Sequence, residues 1–256
     1  MRKKKRKYTR KKKKNFFNKV FLGFCGFLFL LVIIFSALYK FSPNFEIKGM
    51  EIIGTETLSQ DEIKGVAENL FSSSFNILGK DIIIDNIFLS FKGKVNKLME
   101  KFPAIESISI KKDFSQGIIY LEIKEKKPAI IWCEQEKCSL LNKEASFIRD
   151  CDKEKEFIIV QEKESKEYKK QEIINSVFLL NKKLDYYGLK IGECSLFLEK
   201  FIVNNLNGCN IIFDLNNDFT WQVEKLDTVL KQEKYLNNLN NFEYIDLRFG
   251  NQAIIK

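Results

Sequence analysis

The side chains able to do covalent or acid–base chemistry are few, and their spacing bounds what they can do. Histidine is absent from all 256 residues, which removes Ser-His-Asp and Cys-His dyads, histidine-ligated zinc and histidine proton shuttles. Six cysteines remain. Cys133 and Cys138 flank Glu134-Gln135-Glu136-Lys137 and are spaced to close a hairpin; Cys194 and Cys209 border a later hairpin and are candidates to pair across it. Cys151 is left over, and Cys25 sits in an apolar segment. The C-x4-C spacing occurs once with no second matched pair, so structural thiols or a disulfide are expected rather than a cysteine-only metal site. There is no glycine-rich phosphate loop and no G-x-S-x-G, and spacing singles out no catalytic pair among carboxylates such as Glu134, Asp150 and Asp214. The expectation is a non-enzyme with no catalytic residues, no cofactor and no metal.

Charge is distributed as unevenly as the cysteines. The formal net charge is +9, yet 11 of the first 14 residues are Lys or Arg, Lys19 follows them, and no acidic residue precedes Glu46. Setting those 12 aside leaves 31 basic against 34 acidic residues, a balance of −3. The basic character therefore belongs to an arm over residues 1–19, and a folded domain that wraps nucleic acid is not expected. Residues 20–39 carry no charge and at 1.5 Å per residue would span roughly 30 Å, so they read as a transmembrane helix with the arm on its cytoplasmic side. Bulky Leu38, Tyr39 and Phe41 at its exit do not suit a signal-peptide cleavage site. Beside such a helix the arm reads as a topology determinant held on anionic lipid, more than as a nucleic-acid or nuclear-targeting patch.

At 45% hydrophobic overall the chain has ample material for a core. Residues 45–126 predict the order β-α-α-β-β. Phe45, Ile47, Met50 and Ile52 write a strand closed by Gly54; Ser59 and Glu62 have capping-box spacing ahead of Ile63, Val66, Ala67 and Leu70. Ile84, Ile87, Phe88, Phe91, Val95 and Leu98 share one face of a second helix before Pro103, and two alternating strands follow. Residues 127–256 predict a mostly antiparallel β domain with flanking helices over 171–186 and 221–236. Within it Asn207-Gly208 favours a type I′ hairpin turn. The fold class is α+β.

These features together resemble a known family. PAIESISIKKDFSQGIIYLEIKEKKPAIIW, with Pro103, Ile108, Ile110, Lys111, Lys112, Phe114, Leu121, Ile123, Glu125, Pro128, Ala129 and Trp132, is similar to the end of the POTRA domain in the bacterial cell-division proteins FtsQ and DivIB. The closing YIDLRFGNQAIIK resembles that family's Ile/Val-Asp-Leu-Arg-aromatic motif. Asn142-Lys143-Glu144-Ala145 stands where the family has Asp-x-x-Gly, and Phe114-Ser115 where it has Trp-Pro, which bears on turn geometry. The resemblance implies a divisome scaffold in the cytoplasmic membrane at the septum. With the basic arm inside, residues 41–256 would lie outside the cytoplasm, and the resemblance implies that the chain recruits FtsB or DivIC and FtsL, and through them the septal peptidoglycan synthase.

By the same resemblance a C-terminal sheet edge binds the partner by strand addition, with Arg248 as anchor for a partner carboxylate and Phe249, Asn251, Ala253, Ile254 and Ile255 along the docking strand. The residues also admit a plainer role: Ile245 and Leu247 alternate as core residues would, and Arg248 has Asp246 and Glu243 close by in sequence. Two other classes stay open. A POTRA-type chaperone would call for tandem units or a following barrel, which this sequence does not contain; an anchored cell-wall enzyme would show turnover abolished by one carboxylate substitution.

Overall fold

The computed structural model describes residues 21–35, 46–72, 74–77, 80–83, 87, 90–164 and 167–256. α1 (residues 21–35) is the described part of the apolar segment. A helix of that length rises roughly 22 Å against about 30 Å of bilayer hydrocarbon. Among the described residues no helix is long and apolar enough to cross a membrane. The transmembrane helix expected over 20–39 is therefore not supported, because the helix described over 21–35 is shorter than the hydrocarbon core. Residues 20 and 36–39, like the basic arm, lie outside the described residues.

The chain divides into two compact units, 1–98 with 108–123 and 99–107 with 124–256. In the first, β1 (Gly49–Ile53) buries Met50 and Ile52 on one face. α2 (Gln60–Phe71) starts where the Ser59 hydroxyl accepts the Glu62 N–H at 3.4 Å, and it buries Ile63, Ala67 and Phe71. The chain then makes a hairpin, β2 (Ser74–Ile77) with β3 (Lys80–Ile83), before α3 (Lys92–Lys101). The second helix, expected from Ile84, thus begins only at Lys92. β-Branched Ile82 and Ile83 favour a strand, and the Phe91 carbonyl accepts the N–H groups of Lys94 and Val95, both at 2.9 Å, starting the helix there. Ile87, Phe91 and Leu98 are all buried, but only Leu98 of the three lies in α3; Ile84 and Phe88 lie outside the described residues.

β4 (Ile105–Asp113) and β5 (Ile118–Glu125) complete a three-stranded sheet of order β1-β5-β4, β1 running parallel to β5. Gly54 ends β1 at φ 88°, where a Cβ would lie 2.5 Å from the Ile123 carbonyl oxygen, so the turn requires glycine.

The second unit contains β6 (Ile130–Glu134), β7 (Lys137–Leu141), β8 (Phe147–Asp150), β9 (Ile158–Glu162), α4 (Lys170–Asp185) and β10 (Glu193–Leu196). β11 (Lys200–Leu206), β12 (Cys209–Asp214), α5 (Phe219–Leu230), α6 (Glu233–Leu236), β13 (Tyr244–Asp246) and β14 (Ile254–Ile255) follow. They form one nine-stranded sheet of order β14-β13-β12-β11-β10-β9-β6-β7-β8. Most of its pairings are antiparallel, as expected, but the sheet is mixed, because β6 with β9, β9 with β10 and β12 with β13 pair in parallel. α4 and α5 are the cause of the last two joins: each carries the chain back to the end where the preceding strand began, and such crossovers join parallel neighbours.

Ile174, Val177, Leu180 and Leu184 of α4 and Val223, Leu226 and Leu230 of α5 pack with Trp132, Val160, Val203 and Ile211 in one core. Each such fully buried side chain contributes about 1.5–3 kcal/mol.

Turn chemistry decides two joins. Asn207 at φ 48° and Gly208 at φ 95° connect Leu206 to Cys209 as a type I′ turn demands. Between β7 and β8 the Asn142 side chain accepts the N–H groups of Glu144 at 3.1 Å and Ser146 at 2.7 Å, and Ala145 is forced to φ 58°. A left-handed alanine is strained, so Ala145→Gly is expected to raise stability by about 0.5–1 kcal/mol, read as a higher urea midpoint at unchanged slope. A lower midpoint would mean that glycine's extra freedom in the unfolded chain outweighs the relieved strain.

Candidate partner-docking edge

β13 and β14 are made by the closing residues. The β13 backbone runs parallel to β12 with Ile245 opposite Ile211, and Leu247 N–H donates to the Ile212 carbonyl at 2.9 Å. Ile245 and Leu247 are fully buried, which is the core role that their alternation predicts. After a turn in which Gln252 N–H donates to the Phe249 carbonyl, β14 returns antiparallel with Ile255 opposite Ile245.

Lys256 N–H donates to the Tyr244 carbonyl at 3.1 Å, and the Lys256 carbonyl accepts from Glu243 and Tyr244. In an antiparallel pair the bonded residues alternate, so Ala253 and Ile255 direct their N–H and C=O groups away from β13, toward the outer side. β14 is the last strand of the sheet on that side among the described residues. The outer face of the hairpin is apolar as well: Ile254 and Phe249 are 42% and 49% exposed, whereas Ala253 and Ile255 turn inward against the core.

Arg248 is held close to this edge. Its Nε donates to Asp246 Oδ1 at 3.0 Å and Oδ2 at 3.2 Å, and its Nη2 to Oδ2 at 2.7 Å; its backbone N–H also reaches Oδ1 at 3.1 Å. Its guanidinium carbon lies 5.8 Å from the Phe249 ring centroid. The internal ion pair that the sequence left open is thus formed, with Asp246 rather than Glu243, which instead binds Lys256. Burial works against ionisation of Asp246, but the hydrogen bonds from Arg248 outweigh it and hold the carboxyl below its ordinary pKa. The same bonds raise Arg248 above its own. Asn251 is exposed in the turn.

Lys225 is the residue that sequence reasoning passed over. It lies buried on α5 and donates its ammonium to the carbonyls of Leu247 and of Gly250, the latter at 2.8 Å. Burial pushes its pKa down, while Asp246 pulls it up. It therefore fixes both ends of the Leu247–Gly250 segment that presents Arg248 and Phe249. Lysine is seldom buried, and nothing in the helical spacing marks this one.

The other sequence candidates are not brought together. Glu134 pairs with Lys170, Asp150 receives the Ser139 hydroxyl at 3.3 Å, and Asp214 accepts from Asn216 and Asn217 in its own turn. Cys133 and Cys138 form a disulfide, but Cys194 and Cys209 are free and buried. Their expected pairing fails because β11 runs between β10 and β12: Cys194 lies opposite Val203, and Cys209 opposite Leu206.

The arrangement is that of an α+β protein with a preorganised open sheet edge. Comparison of the chain with protein-family models finds no match, and comparison with curated proteins finds none.

Proposed function

We propose that the protein is a non-enzymatic scaffold of bacterial cell division that binds a partner of the FtsB or DivIC kind by strand addition at β14. FtsL-type proteins and the septal peptidoglycan synthase would be linked through that partner. The observation that carries this reading is the outer side of β14, where the backbone groups of Ala253 and Ile255 point away from β13 beside exposed Phe249 and Ile254. The resemblance of the closing motif to FtsQ and DivIB supplies the class of partner. The Cys133–Cys138 disulfide supports a setting outside the cytoplasm for this unit, because disulfides persist in oxidising compartments.

A docked strand extends the ladder, its apolar side chains cover Phe249 and Ile254, and an acidic residue in it shares the Arg248 guanidinium with Asp246. Ile255→Pro tests this directly. The lost N–H lies on the outer side, so β13–β14 pairing is retained while the incoming strand loses a donor. The affinity of the full chain for the matching segment of the host's FtsB-like protein is expected to fall at least tenfold, about 1.4 kcal/mol, with circular dichroism unchanged. Unchanged affinity would move the contact away from β14.

A further inference from the structure

Three cysteines stand in one row across β6, β7 and the residue after β8. Cys133 and Cys138 are opposite one another, and Ser139 is opposite Asp150, so Cys151 is the next neighbour of Cys138 on its other side. The Cys151 N–H donates to the Cys138 carbonyl at 3.0 Å, which confirms the register. Residues directly opposite in a sheet project to the same face.

Cys133 and Cys138 are bridged with their Cα atoms 4.0 Å apart, and Cys151 is a free, half-buried thiol. Hydrogen-bonded antiparallel neighbours have Cα atoms about 5.5 Å apart, inside the roughly 4.4–6.8 Å that a disulfide bridges. Cys138 therefore has two cysteines within bridging reach, one on each side. Cys133 and Cys151 are two strands apart, roughly 9–10 Å, too far to bridge each other.

We propose that this row is a thiol–disulfide exchange site in which Cys151 displaces Cys133 from Cys138. Cys151 loses its proton to water and its thiolate attacks Cys138 Sγ. The Cys138–Cys151 bond forms as the Cys133–Cys138 bond breaks, and Cys133 leaves as a thiolate that takes up a proton. One disulfide and one thiol are present before and after, so no external oxidant or reductant is consumed. The row supplies the geometry the reaction needs, because the attacking and leaving sulfurs approach the central one from opposite sides.

The resting pair follows from the surroundings. Burial raises the Cys151 pKa, as do Glu154, Asp152 and Asp150, with Arg149 opposing them, so little attacking thiolate is present at neutral pH. Cys133 is fully buried and is a poor thiolate to release. Exchange moves the cross-link from the β6–β7 hairpin to the β7–β8 pair. That unclasps the turn bearing Glu134 and Glu136, which line one cleft with Glu162 and Glu164, and ties down the chain that leaves β8.

The full chain would be held at pH 8, quenched in acid, alkylated under denaturing conditions and digested with trypsin. Cleavage after Lys137, Lys143, Arg149 and Lys153 places each of the three cysteines on its own peptide. The expected result is a minor Cys138–Cys151 linked peptide in the wild type, with Cys133 alkylated in step, and its loss in Cys151→Ser. In Cys133→Ser treated with glutathione disulfide the same link becomes the main species, at least tenfold above wild type, with circular dichroism confirming the fold. Absence of the linked peptide from the wild type overturns the proposal. So does a Cys133–Cys151 link in Cys138→Ser, which would mean that the cysteines do not stand in this row.

Discussion

Asp227→Ala is expected to lower stability by about 3 kcal/mol, a fall in Tm of roughly 6–12 °C for a chain of this size. Asp227 is buried on α5 and holds three groups at once: the Tyr187 hydroxyl at 2.6 Å, Lys231 Nζ at 2.8 Å and Lys183 Nζ at 3.2 Å. Lys183 belongs to α4, so the carboxylate joins the two helices that cover the sheet. The lysines can recover water when the carboxylate is lost, but the half-buried tyrosine hydroxyl is left with poorer bonding.

Burial alone would raise the Asp227 pKa; bonds from Lys231, Tyr187 and Lys183 overcome it and bring the group down to about 2. Since the folded value lies below the unfolded one of about 3.9, the contribution is complete above about pH 4 and is lost as pH falls toward 2. The gap in urea midpoint between wild type and Asp227→Ala should therefore narrow below pH 4. A gap as wide at pH 2.5 as at pH 7 would mean that the loss is one of packing and not of charge.

Lys225→Met is expected to cost about 2–3 kcal/mol, because the Leu247 and Gly250 carbonyls lose a charged donor while methionine keeps much of the buried volume. The effect should be concentrated in one place. Amide hydrogen exchange should accelerate over residues 247–256, and affinity for the partner segment should fall with it, since Arg248 and Phe249 are no longer held in register with β14. Exchange in β14 at the wild-type rate would show that the loop is held by the Asp246–Arg248 pair alone. Lys225 and Asp227 lie two residues apart on α5 and so point to opposite sides of it; because they act through different partners, their effects on stability should be nearly additive.

What could be read without coordinates was governed by short-range chemistry. Ser59 with Glu62 starts a helix wherever it stands free to do so, Asn207-Gly208 sets its own turn, and the stripe from Val177 to Leu184 buries itself against whatever sheet is present. Where the same reasoning failed, a competing preference or a distant segment intervened. The helical spacing read from Ile84 onward is met only from Lys92, and β-branched Ile82 and Ile83 place the preceding chain in β3. The apolar run over 20–39 suggested a bilayer span, but the helix described in it, over 21–35, is too short to cross one.

The candidate site divides along the same line. Ile245, Leu247 and Arg248 announce a strand with a buried face and a charged neighbour, and Cys133 with Cys138 announces a closed hairpin, because each pattern is complete within a few residues. Which acid Arg248 would take, that β11 would separate Cys194 from Cys209, that Cys151 would stand beside Cys138, and that Lys225 would reach the Leu247 and Gly250 carbonyls were decided by strand order and helix placement. Local hydrogen bonding and side-chain periodicity are properties of neighbouring residues and travel with the sequence. The order of strands in a sheet depends on which distant faces bury each other at the lowest free energy, and that is settled only when the whole chain has folded.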